Sequence, residues 1–229
     1  MSNDIDIRLG DSKELLKTIT SESIDLIVSD VPYKTTSRGC AGTSGGMFQK
    51  KINKKGSVFI HNNINISDYA DELYRVLKDG SHCYIMTNNT NLIEMLNTLT
   101  NVGFHFIKSL IWDKGNKIMG QYYMSQFEYI LFLRKGKGIK INNCGTSDII
   151  SVPNKKTKDE NNKNLHDTEK PIELMKILIE NSSKIGDIVL DPFMGIGSTG
   201  IACVETNRKF IGFEIDEKYF YISKERIIK

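Results

Sequence analysis

The 229-residue sequence contains no apolar run long enough to cross a bilayer, which excludes a helical membrane span. It has only four cysteines, and none forms a Cys-x-x-Cys pair. Cys40, Cys83, Cys144 and Cys203 lie far apart, so their spacing excludes a zinc ribbon and a disulfide framework, and no metal site is expected. The thiols are expected to be reduced, in a cytoplasmic protein. The start, Met1-Ser2-Asn3-Asp4, is polar and acidic and does not resemble a secretory signal. There is no Gly-Lys-Ser/Thr, which excludes a phosphate-binding P-loop. Charge of one sign is scarce as well: the net charge of +3 is too small to identify a partner, so local distribution has to decide.

What is present is a globular composition, 39% hydrophobic and 26% charged, with length enough for one α/β domain over residues 1–229. Strand-like runs alternate with helical patterns. Strands are expected at Ile5–Leu9, Ile24–Ser29, His82–Thr87, Phe104–Trp112, Phe127–Leu133, Ile188–Leu190 and Phe210–Phe213. Helices are expected at Ser12–Thr18, Ser67–Leu77, Asn91–Thr100, Pro171–Ser183, Ser198–Glu205 and Glu217–Ile228. In the second of these, Ala70, Leu73, Tyr74 and Leu77 follow i, i+3, i+4, i+7. The pattern predicts a doubly wound, Rossmann-like sheet of seven strands, mostly parallel, with one antiparallel strand near an edge. Two segments lack a clear period: 34–60, rich in Gly, Ser and Thr, and 135–165, rich in Lys, Asn and Gly. Long loops in a compact domain are usually functional or disordered.

One motif is Asp191-Pro192-Phe193-Met194-Gly195-Ile196-Gly197-Ser198-Thr199-Gly200. A strand ends in a carboxylate, a glycine turn follows and a helix begins. Glycines there let the backbone approach a ligand where a Cβ would collide. Glu214, followed by Ile215, ends the next strand and is placed to bind ribose hydroxyls. The three glycines also satisfy the dinucleotide fingerprint, but Asp191 would repel a pyrophosphate at close range and suits a cationic ligand instead. A second motif, Ser29-Asp30-Val31-Pro32-Tyr33, follows a buried-type strand. The amino group of a nucleobase is a poor nucleophile, because its lone pair is delocalised into the ring. Asp30 and a carbonyl of Val31 or Pro32 can accept its N–H bonds and localise that pair, and Tyr33 offers a stacking face.

Together these motifs resemble the β-group DNA amino-methyltransferases, whose signature is Asp/Asn/Ser-Pro-Pro-Tyr and whose cofactor motif follows the catalytic one. Further segments are similar along nearly the whole chain: Leu9-Gly10-Asp11-Ser12, Tyr74-Arg75-Val76-Leu77-Lys78-Asp79-Gly80, Ile111-Trp112-Asp113-Lys114, Glu128-Tyr129-Ile130-Leu131-Phe132 and His166-Asp167-Thr168-Glu169-Lys170-Pro171. The resemblance implies the seven-stranded methyltransferase fold and S-adenosylmethionine as cofactor. It assigns catalysis to Asp30, Val31, Pro32 and Tyr33. It assigns cofactor contacts to Asp11, Asp30, His166, Thr168, Lys170, Asp191, Pro192, Phe193, Gly195, Gly197, Ser198, Thr199, Glu214 and Ile215. The implied reaction is methyl transfer to N6 of a flipped-out adenine at a specific DNA site. Two positions depart from the pattern: Val31 stands where the family has its first proline, and Glu169 where it has glutamine.

Double-stranded DNA as partner calls for basic surface. Residues 34–60 carry Lys34, Arg38, Lys50, Lys51, Lys54 and Lys55 with no acid among them, and Arg134 and Lys135 open a second basic run. All eight are candidate phosphate contacts. Segment 135–165 holds the family's target-recognition position. A bacterial or phage-encoded protein is expected, with a homodimer and a cognate restriction endonuclease as further partners left open. Cytosine N4 stays open as the target, as does a non-catalytic DNA-binding protein that keeps the cofactor pocket. Trp112, His61, His82 and His105 are read as core or loop residues.

Overall fold

Ile24–Ser29 shows why the strands form where they do: five of its six residues are buried, and its side chains feed two different cores. The computed structural model describes residues 4–32, 64–118, 122–158, 160, 162, 164–165 and 168–228. The chain runs β1 (Ile5–Leu9), α1 (Ser12–Lys17), β2 (Ile24–Ser29), a 3-10 turn (Ile66–Asp68), α2 (Ala70–Val76), β3 (Leu77–Thr87), α3 (Leu92–Asn101), β4 (His105–Ile118), β5 (Ser125–Arg134), β6 (Ile149–Ser151), α4 (Ile172–Ser182), β7 (Ile188–Asp191), α5 (Ser198–Glu205), β8 (Lys209–Glu214) and α6 (Glu217–Ile227).

The sheet order is β1-β8-β7-β2-β3-β5-β4-β6. All neighbours are parallel except those of β5, which runs antiparallel to both β3 and β4. The expected mostly parallel sheet with one antiparallel strand is therefore present, with eight strands among the described residues rather than seven. The extra strand, β6, is three residues long and pairs with Ile111–Asp113 at the sheet edge. Helices cover both faces. Leu16 of α1, Leu73 of α2 and Leu99 of α3 share a core with Ile27, Ile85 and Leu131. Leu178 of α4, Cys203 of α5 and Ile227 of α6 share the other with Val28, Tyr84 and Ile130.

Most boundaries shift by one or two residues, and two stretches differ by more. The helix expected over Ser67–Leu77 divides into the 3-10 turn and α2, and Leu77 already belongs to β3. The strand expected to end at Trp112 continues to Ile118, so β4 and β5 extend as a hairpin beyond the edge where the parallel strands end. Trp112 is buried and donates Nε1–H to the Val152 carbonyl at 2.8 Å. His82 is buried between the Ser182 hydroxyl and the Ile139 carbonyl, and burial holds its pKa below the ordinary histidine value. Both are core residues, as read from the sequence.

Candidate active site

Four parallel strands deliver the site from one edge. β1 ends beside Gly10 and Asp11, β2 beside Asp30, β7 in Asp191 and β8 in Glu214. In a doubly wound sheet this carboxyl edge is where ligands bind.

The glycine turn is organised by Asp191. Its Oδ1 accepts from the Ser29 hydroxyl at 2.7 Å and the Phe193 N–H at 3.1 Å, and its Oδ2 accepts from the Thr199 hydroxyl at 2.6 Å. The carboxylate thereby ties β2 to the turn and the turn to α5. Burial pushes its pKa up to about 6, against the pull of these three hydrogen bonds. The Ser12 hydroxyl donates to the Pro192 carbonyl, which joins α1 to the same turn. Gly195 and Gly197 take φ of +55° and +85°, a region that L side chains rarely enter. A Cβ at Gly197 would lie 2.8 Å from Ile227, so that glycine serves packing. A Cβ at Gly195 would meet no described atom within 4 Å, so open space lies beside its backbone. Ser198 is buried at the start of α5. Glu214 accepts from the Asp216 N–H at 2.8 Å and from the Gly195 backbone, and burial raises its pKa. Ile215 is exposed on the lip. Asp11 caps α1 through the Lys13 N–H at 2.9 Å.

The catalytic motif begins with Asp30. Its Oδ2 receives the Lys170 ammonium, and its Oδ1 is a buried acceptor with no hydrogen-bond partner among the described residues. Val31 is only 1% exposed and packs in the core that contains Ile66 and Tyr69. Burial of this side chain anchors the loop where the family has a proline. Pro32 lines a small cleft with Ile64, Asn65, Ile66, Asn91, Glu94 and Met95. Tyr33 and His166 lie outside the described residues, as do Lys34, Arg38, Lys50, Lys51, Lys54 and Lys55.

Several residues of the site were not singled out from the sequence. Glu128, at the start of β5, binds Lys114 of β4 at 2.6 Å, and its Oε2 lies 3.6 Å from the Lys170 ammonium. Both are charges within strand-like apolar patterns, which is the signal that marks them. Tyr69 is buried with its hydroxyl unpartnered, and its ring meets Phe193 edge-on at 4.8 Å. Among the described residues five buried side-chain polar atoms lack a partner, and three of them belong to Asp30, Thr87 and Glu128, at adjacent strand ends on this edge. Such groups are rare in folded proteins and mark a place where a polar ligand is expected.

Glu169, the second departure from the family pattern, is buried. Its oxygens accept from the Thr157 N–H at 2.6 Å, the Thr157 hydroxyl at 2.9 Å and Arg226 of α6 at 2.7 Å. Arg226 also donates to the Ile196 carbonyl of the glycine turn at 2.8 Å. Its guanidinium compensates the charge that glutamine would not carry, and it clamps Thr157 and Glu169 onto the turn. Thr168, exposed, leads into this pair.

Two expected phosphate contacts are corrected. Because β5 is antiparallel, Arg134 and Lys135 lie at the opposite end of the sheet from Asp30: Arg134 pairs with His82, which pairs with Leu26. Lys135 is buried, donating to the Leu77 carbonyl at 2.9 Å, 3.2 Å from Glu22 and over the Tyr74 ring. It is a structural lysine.

The DNA methylase family profile for N6 and N4 amino-methyltransferases matches residues 24–225. The chain belongs to the N6/N4 DNA methylase family. Type II methyltransferase M.HinfI of Haemophilus influenzae is 30% identical over 239 residues, covering 95% of this methylase and 67% of its own length. Among solved structures, the M1.HpyAVI–SAM complex is 23% identical with a TM-score of 0.69, covering 97% of this chain and 99% of that one. The cytosine-N4-specific PvuII DNA methyltransferase is 18% identical with a TM-score of 0.76, covering 100% and 88%. These two likenesses bear on the fold, and the family match carries the chemical class. No helix of the described methylase is long and apolar enough to cross a membrane.

Proposed function

We propose that this methylase transfers a methyl group from S-adenosylmethionine to the exocyclic N6 of an adenine flipped out of double-stranded DNA. The observation that carries the reading is Asp30: a half-buried carboxylate at the carboxyl edge of β2, whose Oδ1 is buried and has no hydrogen-bond partner among the described residues, one strand from the glycine turn. The turn fits the cofactor, since Gly195 leaves open space beside its backbone and Glu214 ends the adjacent strand.

When bound, S-adenosylmethionine supplies a methyl group made electrophilic by its sulfonium. The chain's own residues prepare the acceptor. Asp30 accepts a hydrogen bond from the adenine amine and draws its lone pair out of conjugation. The Pro32 carbonyl takes the second N–H, and Tyr33 stacks on the base, worth about 1–3 kcal/mol. The amine sheds one proton on substitution, and Asp30 is the base that faces it. Flipping costs a few kcal/mol, returned by this pocket and by phosphate contacts from Lys34, Arg38, Lys50, Lys51, Lys54 and Lys55. Segment 135–165 contributes to target choice. M.HinfI is a type II methyltransferase, and site-specific action, in a bacterial or phage cytoplasm, is proposed for this chain on that basis. S-adenosylmethionine binding and methyl transfer to unmethylated DNA, measured side by side, test the roles. Asp30→Ala is expected to abolish transfer with cofactor affinity nearly intact. Glu214→Ala is expected to weaken cofactor binding, with rate recovered at saturation. Exchange of these two phenotypes would reverse the assignment.

A further inference from the structure

Lys170 lies just ahead of α4 with a side chain only 7% exposed, and its ammonium contacts Asp30 Oδ2. The resemblance assigns this lysine to the cofactor, whereas the structure seats it on the catalytic acid. The same ammonium lies 3.6 Å from Glu128 Oε2, and Glu128 is itself held by Lys114 at 2.6 Å. Four charges from four separate stretches of the chain thus form a neutral, largely buried cluster, in which Asp30 Oδ1 and Glu128 Oε2 are buried acceptors without hydrogen-bond partners among the described residues. A lysine recruited only for packing or for the cofactor needs neither a second carboxylate nor a second lysine behind it.

We propose that Lys170, seated between Asp30 and Glu128, is a positioning residue that holds Asp30 as an anionic acceptor with Oδ1 turned to the target amine, and that the Glu128–Lys114 pair fixes the seat of its ammonium. This rests on the reading of Asp30 as that amine's acceptor. The groups facing Asp30 are Lys170 before α4, Glu128 on β5, Lys114 on β4, Asp191 on β7 and Tyr69 before α2. Burial raises the Asp30 pKa and Glu128 raises it further, while Lys170 and Lys114 lower it. A protonated Asp30 would present a hydroxyl to the amine in place of its strongest acceptor. Removing the positive neighbour therefore favours the unproductive form, and removing the negative neighbour favours the productive one.

The test uses the full-length protein and Lys170→Met, Lys170→Arg and Glu128→Gln. With saturating DNA and cofactor, the rate rises with pH as Asp30 ionises. Lys170→Met is expected to move that rise upward by about 1–2 pH units and to lower the neutral-pH rate roughly tenfold or more, while sinefungin affinity changes less than about threefold. Lys170→Arg keeps the charge and restores the profile. Glu128→Gln moves the rise downward, the opposite sign. Difference infrared spectra give a readout independent of any DNA substrate: Lys170→Met at neutral pH shows a protonated-carboxyl band that disappears in Lys170→Met/Asp30→Asn. An unmoved pH profile, shifts of the same sign in both variants, or a missing band would overturn the proposal. So would a Lys170→Met defect confined to sinefungin affinity, which would return the lysine to the cofactor. Absence of methyl transfer by the unsubstituted protein would instead defeat the methyltransferase reading, and the infrared band would still decide the state of Asp30.

Discussion

Asp191→Asn is expected to stabilise the protein while impairing its cofactor site. The native carboxylate is buried, 3% exposed, and its pKa rises from the ordinary 3.8 to about 6. A folded-state pKa above the unfolded one means that the native state binds the proton more tightly, so stability falls as pH rises from about 4 through 6. The two-unit difference amounts to about 3 kcal/mol of destabilisation at pH 7 and about 0.5 kcal/mol at pH 4. Asparagine is isosteric. Its carbonyl oxygen can accept from Ser29 and the Phe193 N–H, and its amide can donate to Thr199 once that hydroxyl rotates. Urea unfolding of both proteins without cofactor, at pH 4, 5, 6 and 7.5, reads the difference directly. The variant is expected to gain stability progressively with pH, by up to about 3 kcal/mol, and to bind cofactor more weakly. A variant destabilised by the same amount at every pH would refute the reasoning, because Asp191 would then act through its hydrogen bonds alone. Functional sites commonly retain such costly groups.

Two further substitutions probe the glycine turn. Gly195→Ala is expected to cost only about 1–2 kcal/mol of stability, from its positive φ, yet to weaken S-adenosylmethionine binding strongly, because the methyl group would fill open space that the proposed cofactor site needs. Gly197→Ala meets Ile227 and is expected to cost more stability than Gly195→Ala; equal losses of stability and affinity in the two variants would contradict the division of roles. A double-mutant cycle of Glu169→Gln and Arg226→Gln is expected to give a coupling of about 1–3 kcal/mol. A coupling near zero in thermal unfolding would show that the clamp on Ile196 does not depend on this pair.

Much of the fold was legible because its signals are local. The buried run Ile24–Ser29 and the glycine turn at Gly195 and Gly197 each carry their meaning in a few residues. The motif order brought Asp30 and Asp191 to neighbouring strands, where Ser29 hydrogen-bonds Asp191 across 162 positions of sequence. Strand β6 was not legible: three residues in a polar segment have no period, and only pairing with Ile111–Asp113 makes them a strand. The direction of β5 decided two further points. An antiparallel strand puts Glu128 at the active edge and Lys135 at the far one, so a glutamate inside an apolar pattern became a site residue while a lysine in a basic run became core. Likewise Glu169 reads as a defect in the family motif until Arg226, 57 positions later, is found beside it. Long-range pairing, not propensity, supplied each of these.

The most direct test of the central claim is transfer of a labelled methyl group from S-adenosylmethionine to unmethylated genomic DNA, followed by digestion to nucleosides and mass spectrometry. N6-methyladenine, absent with Asp30→Ala, is the predicted product. N4-methylcytosine would keep the site and mechanism but contradict the assignment of the target base. No methylated nucleoside from a protein that demonstrably binds the cofactor would contradict the catalytic reading of Asp30 itself.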